Sequence, residues 1–223
     1  MRARYALLAA VLLAAPVNAQ DVGVSVRAST LGVGGDLSVG VAPTVNVRLT
    51  ANGFSYAQDG LFDGADADID GLTLDYDADL GLGSVGLLAD WHPLGNTFHI
   101  TAGALYNLNG VTADISAAEP YYNSDLDRTF SVERVGTLRA EITYEQPIAP
   151  YLGIGVGDLT AGPFGVTLEA GAAYVGPPSI EMTGSGLIGG TADPANVAVL
   201  EDGFDSFRLH PVVSLGLKTS LGR

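Results

Sequence analysis

Apolar residues in this chain recur at every second position, segment after segment, and that period admits few folds. Val22, Val24, Val26 and Ala28 alternate with Gly, Ser and Arg27. Leu31, Val33, Leu37, Val39 and Val41 follow, interleaved with Gly32, Gly34, Asp36 and Ser38. Val45, Val47, Leu49 and Ala51 alternate with Asn46, Arg48, Thr50 and Asn52. The rhythm returns from Leu72 to Leu82, Phe98 to Leu108, Leu138 to Val156 (one run interrupted by Pro147 and Pro150), Phe164 to Tyr174 and Phe207 to Leu217. A period of two puts one set of side chains on one face of a strand and the other set behind it. Beyond the first twenty residues no segment carries a period near 3.6, so almost no helix is expected. The pattern predicts about eight strands. Val22–Ser29 and Leu31–Val41 read either as two strands with a very tight link at Thr30-Leu31 or as one kinked strand.

The connections differ in length. Ala42–Thr44, His92–Thr97 and Asp158–Pro163 are short, whereas 54–71, 110–136 and 176–206 are long and rich in Gly, Ala and Asp. Short turns at one end and long loops at the other are the habit of transmembrane barrels, whose tilted strands need about 9–11 residues to cross.

Alternation alone fits a soluble barrel with apolar residues inside or a membrane barrel with them outside. The polar set decides between them. It is mostly Gly, Ser, Thr and Asn, with scattered charges of both signs, which suits a narrow interior better than a water-facing surface. Composition agrees: 47% of residues are hydrophobic, and Lys218 is the only lysine. Tyr56, Trp91, Phe98, Tyr106, Tyr144, Tyr151, Phe164, Tyr174 and Phe207 fall mostly near strand ends, where aromatic girdles sit. The expected fold is therefore all-β, an eight-stranded antiparallel up-and-down transmembrane barrel with short periplasmic turns and longer extracellular loops. In lipid an unpaired backbone group costs several kcal/mol, so the sheet must close. About eight strands leave a lumen just filled by side chains.

Residues 1–19 are expected to be a secretory signal peptide. Arg2 and Arg4 begin it, Ala6–Ala15 is a short apolar run, and Val17-Asn18-Ala19 has the small residues of a cleavage site. Residues 20–223 then form one barrel domain. There is no cysteine, so burial and backbone pairing must hold it. A formal net charge of −15 argues against nucleic acid as a partner.

The segments STLGVGGDLSVGVAPTVNVRL (29–49), ADWHPLGNTFHITAGALYN (89–107), APYLGIGVG (149–157) and HPVVSLGLKTSL (210–221) resemble small proteobacterial outer-membrane barrels of the broad OmpA/OmpX-like superfamily. The resemblance covers most of the chain after the leader. It implies the cell outer membrane, outer-membrane lipid as surroundings and the barrel assembly machinery as partner during insertion.

Candidate sites are few. Asp66-x-Asp68-x-Asp70-Gly71, with Asp77 at the twelfth position, has the opening spacing of a calcium-binding loop. Asp77 is shorter than the usual bidentate Glu, Leu74 stands at position nine, and no helices flank the loop. The competing reading is a solvated acidic loop that attracts divalent cations. Asp75, Asp77 and Asp79 occupy the polar parity of their strand and are expected in the lumen. Their expected partners are Arg27, Arg48, Arg139, Arg208 and Lys218, and His99 and Glu169 complete the expected lumen charge network. Gly153-x-Gly155-x-Gly157 precedes no helix, so it reads as strand glycine and not as a phosphate loop. No serine–histidine–acid spacing stands out, and no cofactor is expected. The function this predicts is a structural or surface-interacting outer-membrane barrel without catalysis. The alternatives are passage of small hydrophobic molecules and modification of lipid A.

Overall fold

The computed structural model describes residues 21–63, 72–95, 97–204 and 208–221. The expected signal peptide and the Asp66–Asp68–Asp70 calcium candidate lie outside these residues, as does Phe207.

Eight staves close into an antiparallel barrel. They are β1 (Val22–Ser29), β2 (Gly32–Ala42), β3 (Val45–Asp63), β4 (Thr73–Trp91), β5 (Phe98–Asn107), β10 (Ile148–Val156), β11 (Gly165–Tyr174) and β13 (Leu209–Ser220). Each pairs with the next, and β13 pairs with β1, from Gly23 opposite Ser220 to Ser29 opposite Ser214. The tight-link alternative at Thr30-Leu31 is the one realised: β1 and β2 form a hairpin in which Ser29 faces Gly32. Gly32 has φ +102°, a left-handed conformation that a side chain rarely adopts. Both ends of the described chain lie at the end with the short turns. No helix among the described residues is long and apolar enough to cross a membrane.

The outward face is apolar. Val26, Leu37, Val85, Leu87, Leu152, Ile154, Val166, Leu168, Leu215 and Leu217 are exposed on it. Trp91 and Tyr106 stand at opposite ends of this band, as an aromatic girdle requires.

The barrel does not stop where the bilayer would. β3 and β4 each run nineteen residues. At about 3.3 Å per residue that is roughly 60 Å, twice the hydrocarbon thickness of about 30 Å. Above Gly83, β4 trades β5 for β6 (Gly110–Ala117), which pairs in turn with β9 (Thr137–Tyr144), and β9 with β12 (Pro178–Gly184). The upper half of β3 completes a five-stranded extension on one side of the rim. Much of what the sequence suggested as long loops is therefore strand. One face of the extension buries Leu72, Leu74, Ala117, Phe130 and Val135. A two-stranded hairpin, β7 (Tyr121–Asn123) with β8 (Arg128–Phe130), and the short helix α1 (Val132–Val135) contribute to that second core.

A helix that the periodicity did not announce, α2 (Pro194–Phe204), follows a 3-10 turn at Ile188–Ala192. Its entry has good local chemistry. Pro194 occupies the first helical position, and the Asp193 carboxylate accepts the Ala195 N–H at 2.8 Å. It buries no residue, which is why no apolar stripe marks it in the sequence.

Candidate functional site: a sealed ionic lumen and an acidic extension

All eight staves send buried side chains into the lumen, in two layers. The layer nearer the turns is ionic. Arg48 Nη2 donates to Asp90 Oδ1 at 2.9 Å and to Glu169 Oε2 at 2.5 Å. The Thr101 hydroxyl donates to Asp90 at 2.7 Å, and Tyr151 donates to Glu169 Oε1 at 2.6 Å. A second group lies beside it. Arg27 stands 3.5 Å from Asp36 and donates to Thr50 at 2.6 Å and to Asn52 at 3.0 Å, while Ser25 donates to Asp36 at 2.5 Å. All these charged side chains are at most 5% exposed. At that burial, charges persist only when paired and hydrogen-bonded.

Toward the loop end the lumen turns apolar. Leu31, Leu88, Leu105, Ala149, Ala173, Val175 and Val212 pack together around the ring of Tyr151. On four staves an apolar residue lies loopward of a charged or polar one, Leu88 above Asp90, Leu105 above His99, Ala173 above Glu169 and Val212 above Ser214, and on β4 the buried Ser84, which accepts from Asn52, lies higher still. The ionic layer is thereby capped on the loop side.

The turn side holds a concavity of about 320 Å³ lined by Asn46, His92, Asp158 and Thr160 among others. Asn46 donates to Asp158 at 3.0 Å, and its amide stands 3.3 Å from His92 Nε2. Burial pushes the Asp158 carboxyl up. The Thr160 N–H and hydroxyl, the nearby His92 and the Asn46 amide more than offset this and hold it below the usual carboxylate value. Lys218 closes the same end by donating to the Ala161 and Gly162 carbonyls. The His92 ring lies 5.4 Å from that of His99, so histidines link the concavity to the ionic layer.

Asp90, His99 and Glu169 bring their donor atoms within 4.8 Å of one another, a spacing that suits a metal ion. A cation already sits there. The Arg48 guanidinium bridges both carboxylates, and His99 Nε2 stands 3.5 Å from Glu169. The glycines of β10 and β11 make room for the rings. A Cβ on Gly155 would lie 2.5 Å from His99 Nε2, and one on Gly153 or Gly171 would lie 2.7 or 2.6 Å from the Tyr151 hydroxyl. The reading of Gly153 and Gly155 as strand glycines thus gains a physical reason.

Of the residues proposed for the lumen, Arg27, Arg48, His99, Glu169 and Lys218 are inside. Asp75, Asp77 and Asp79 are not: all three are exposed on the outer face of the extension. Arg139 is there too, holding Asp114 with two bonds of 2.9 and 2.6 Å at about half exposure. Arg208 is exposed at the loop end, where its carbonyl accepts the Val175 N–H. The error at the three aspartates has a single cause. The strands pass the bilayer without changing parity, while the chemistry of their two faces exchanges. Below Gly83 the outward positions of β4 are Val85, Leu87 and Trp91; above it they are Asp75, Asp77 and Asp79. Leu74, Tyr76 and Ala78 alternate with those aspartates because they face the core side of the extension, not lipid.

Asp90, Asp36 and Tyr151 are the lumen residues that the candidate network lacked. Asp90 was legible as the continuation of the β4 parity through Ser84, Gly86 and Leu88. Tyr151, whose place near a strand end suggests a girdle aromatic, faces inward because a one-residue offset separates the β6–β9 register from the β5–β10 register. That offset, near Gln146-Pro147, turns the odd positions of β10 into the lumen.

The acidic residues form rows across the extension. Ala57, Asp79, Thr112, Glu141 and Glu181 lie opposite one another from strand to strand, and so do Asp59, Asp77, Asp114, Arg139 and Thr183. Like charges directly opposite destabilise a sheet. A concavity of about 580 Å³ opens on this face between Asp75, Asp77, Asp114, Arg139 and Thr183.

A closed eight-stranded antiparallel barrel, apolar outside and filled with paired charge inside, defines the class as a barrel of the outer-membrane type. No protein-family model and no curated protein matches the chain. Solved structures do. CarO2 of Acinetobacter baumannii is similar at 24% identity and a TM-score of 0.56, over 90% of this chain and 98% of that one. CarO of the same organism gives 24% and 0.55, over 90% and 97%. A weaker likeness, 17% and 0.36 over 89% and 98%, is to a major outer membrane protein from Thermus thermophilus. At 24% identity the likeness to the two CarO structures establishes the fold alone.

Proposed function

We propose that the chain is an integral protein of the cell outer membrane whose role is structural or surface-interacting, with the extension facing out of the cell and the short turns facing the periplasm. The barrel anchors; the extension meets the surroundings. The observation that carries this reading is the filled lumen beneath a large acidic extension. Two capped layers of side chains leave conduction without a path. His99 has carboxylates and a guanidinium around it, and the aliphatic hydroxyl in that cluster, Thr101, is committed to Asp90. Neither arrangement favours catalysis. Residues 1–19 act as the export signal in this reading, and the barrel assembly machinery inserts the chain.

The test is fractionation of the native host with gel migration of heated and unheated samples, followed by planar-bilayer recording of the purified protein. A heat-modifiable outer-membrane band without stable conductance is expected. A soluble, detergent-free monomer or porin-like conductance overturns the reading. Lipid A mass spectra that change when the protein is deleted would overturn its non-enzymatic part.

A further inference from the structure

The two edges of the extension are treated differently. At the β12 edge, α2 and the 3-10 turn pack alongside, and the Glu201 carboxylate accepts the outward Ile180 N–H at 3.0 Å. At the β3 edge, pairing with β2 ends at Val33 opposite Gly53. From Phe54 to Asp63 this strand pairs with β4 on one side. Among the described residues no backbone hydrogen bond reaches its other side. Edges left open in this way are normally blunted by lysine, proline or a bulge. The segment FSYAQDGLFD has no lysine, arginine or proline, and its pairing with β4 runs without a register shift.

The faces flanking that edge differ. On one side Asp59 heads the row that continues through Asp77 and Asp114, and Ala57 heads the row that reaches Asp79, Glu141 and Glu181. The carboxylates in or beside these rows, those of Asp59, Asp75, Asp77, Asp79, Asp114, Glu141 and Glu181, have Arg139 as their one cationic neighbour in the paired rows. On the other side, Phe54 and Tyr56 are about half exposed.

We propose that the Phe54–Asp63 edge accepts an extended basic segment of another protein as a sixth strand. This rests on the surface-interacting role above and names the partner's chemistry. Backbone pairing supplies the generic part of the attraction, as in other strand additions. Side chains of the added strand alternate between the two faces. Every second one therefore joins the acidic rows, where lysine or arginine relieves carboxylate repulsion. Those between meet Phe54 and Tyr56 and are apolar. A second copy of this chain is the wrong occupant. Two barrels in one membrane, related by an axis along its normal, would turn the second edge over and continue one copy's acidic rows with the other's Phe54 and Tyr56 face, which offers no cation.

The test uses the full barrel refolded in a zwitterionic detergent and a fluorescent ten-residue peptide of alternating lysine and valine. Heat-modifiable migration is checked first, so a failure of the membrane-barrel reading is seen before any peptide is added. Saturable binding is expected, weakened by salt. Amide exchange should slow over Phe54–Asp63 and stay unchanged over Pro178–Gly184. An Asp59→Asn/Asp77→Asn/Asp79→Asn variant, altered only at exposed positions, should bind about tenfold more weakly. A glutamate–valine peptide should not bind. Equal binding of the acidic peptide, protection elsewhere without protection of Phe54–Asp63, or no binding by a heat-modifiable barrel overturns the proposal.

Discussion

The lower and upper halves of β3 and β4 are the same strands in two solvents. In the barrel half, charge is turned inward, paired and sealed, while apolar side chains face out. In the extension, the outward face is acidic and wet, and apolar residues pack beneath a hairpin and α1. Arg48 and Arg139 show what the difference means. Arg48 binds Asp90 of the neighbouring β4 and Glu169 of β11 across the lumen, Arg139 binds Asp114 of the neighbouring β6, but Arg48 is about 4% exposed and Arg139 about half. Burial decides which of two similar ion pairs holds the molecule together.

The largest expected effect is at Arg48. Arg48→Leu leaves Asp90 and Glu169 buried without their cation and should destabilise the barrel by about 3–5 kcal/mol in denaturant unfolding from lipid vesicles. A much smaller loss would mean that the ionic layer is wetter than it looks. Next comes a pair of substitutions at outward positions of one strand. Leu87→Arg puts charge in the apolar band and should cost about 2–4 kcal/mol. Asp77→Arg, further up the same strand, should cost nothing or stabilise by a few tenths of a kcal/mol through relief of like-charge pairing. Equal effects would remove the boundary near Gly83. Arg139→Gln, at a half-exposed pair, should change stability by less than about 1 kcal/mol in the same assay.

The smallest effect is at the turn end. The folded-state carboxyl of Asp158 is held below its ordinary value, so its contribution is fully present above the unfolded value of about 3.9. It is lost as pH falls through the lower folded value. Asp158→Asn should therefore flatten the acid side of the stability profile below about pH 4, with little change in its shape near neutrality. The fraction of heat-modifiable protein against pH measures it.

Strand positions and closure were legible because period two survives in every stave. The lumen was legible where polar residues of both signs sit on one parity, as at Arg27 and Arg48. The extension was not, because alternation says that a strand has two faces without saying which solvent each meets. Leu72–Leu82 alternates as well as any lipid-facing strand, yet its apolar side meets Phe130 and Val135 from distant sequence. α2 escaped for the opposite reason: its capping chemistry is local, and it has no buried stripe for a periodicity to find.

The two-residue hairpin between β1 and β2 has a consequence for the molecule as an object in a plane. It ends two adjacent staves low, while β3 beside them climbs about ten residues further, roughly 33 Å. The rim is therefore a step, flush on one flank and tall on the other. A body with such a step has a front and a back. Neighbours diffusing in the same sheet of lipid meet different obstacles according to the side from which they come. Rotation about the membrane normal, which means little for a symmetric cylinder, becomes a variable that decides which neighbours can touch.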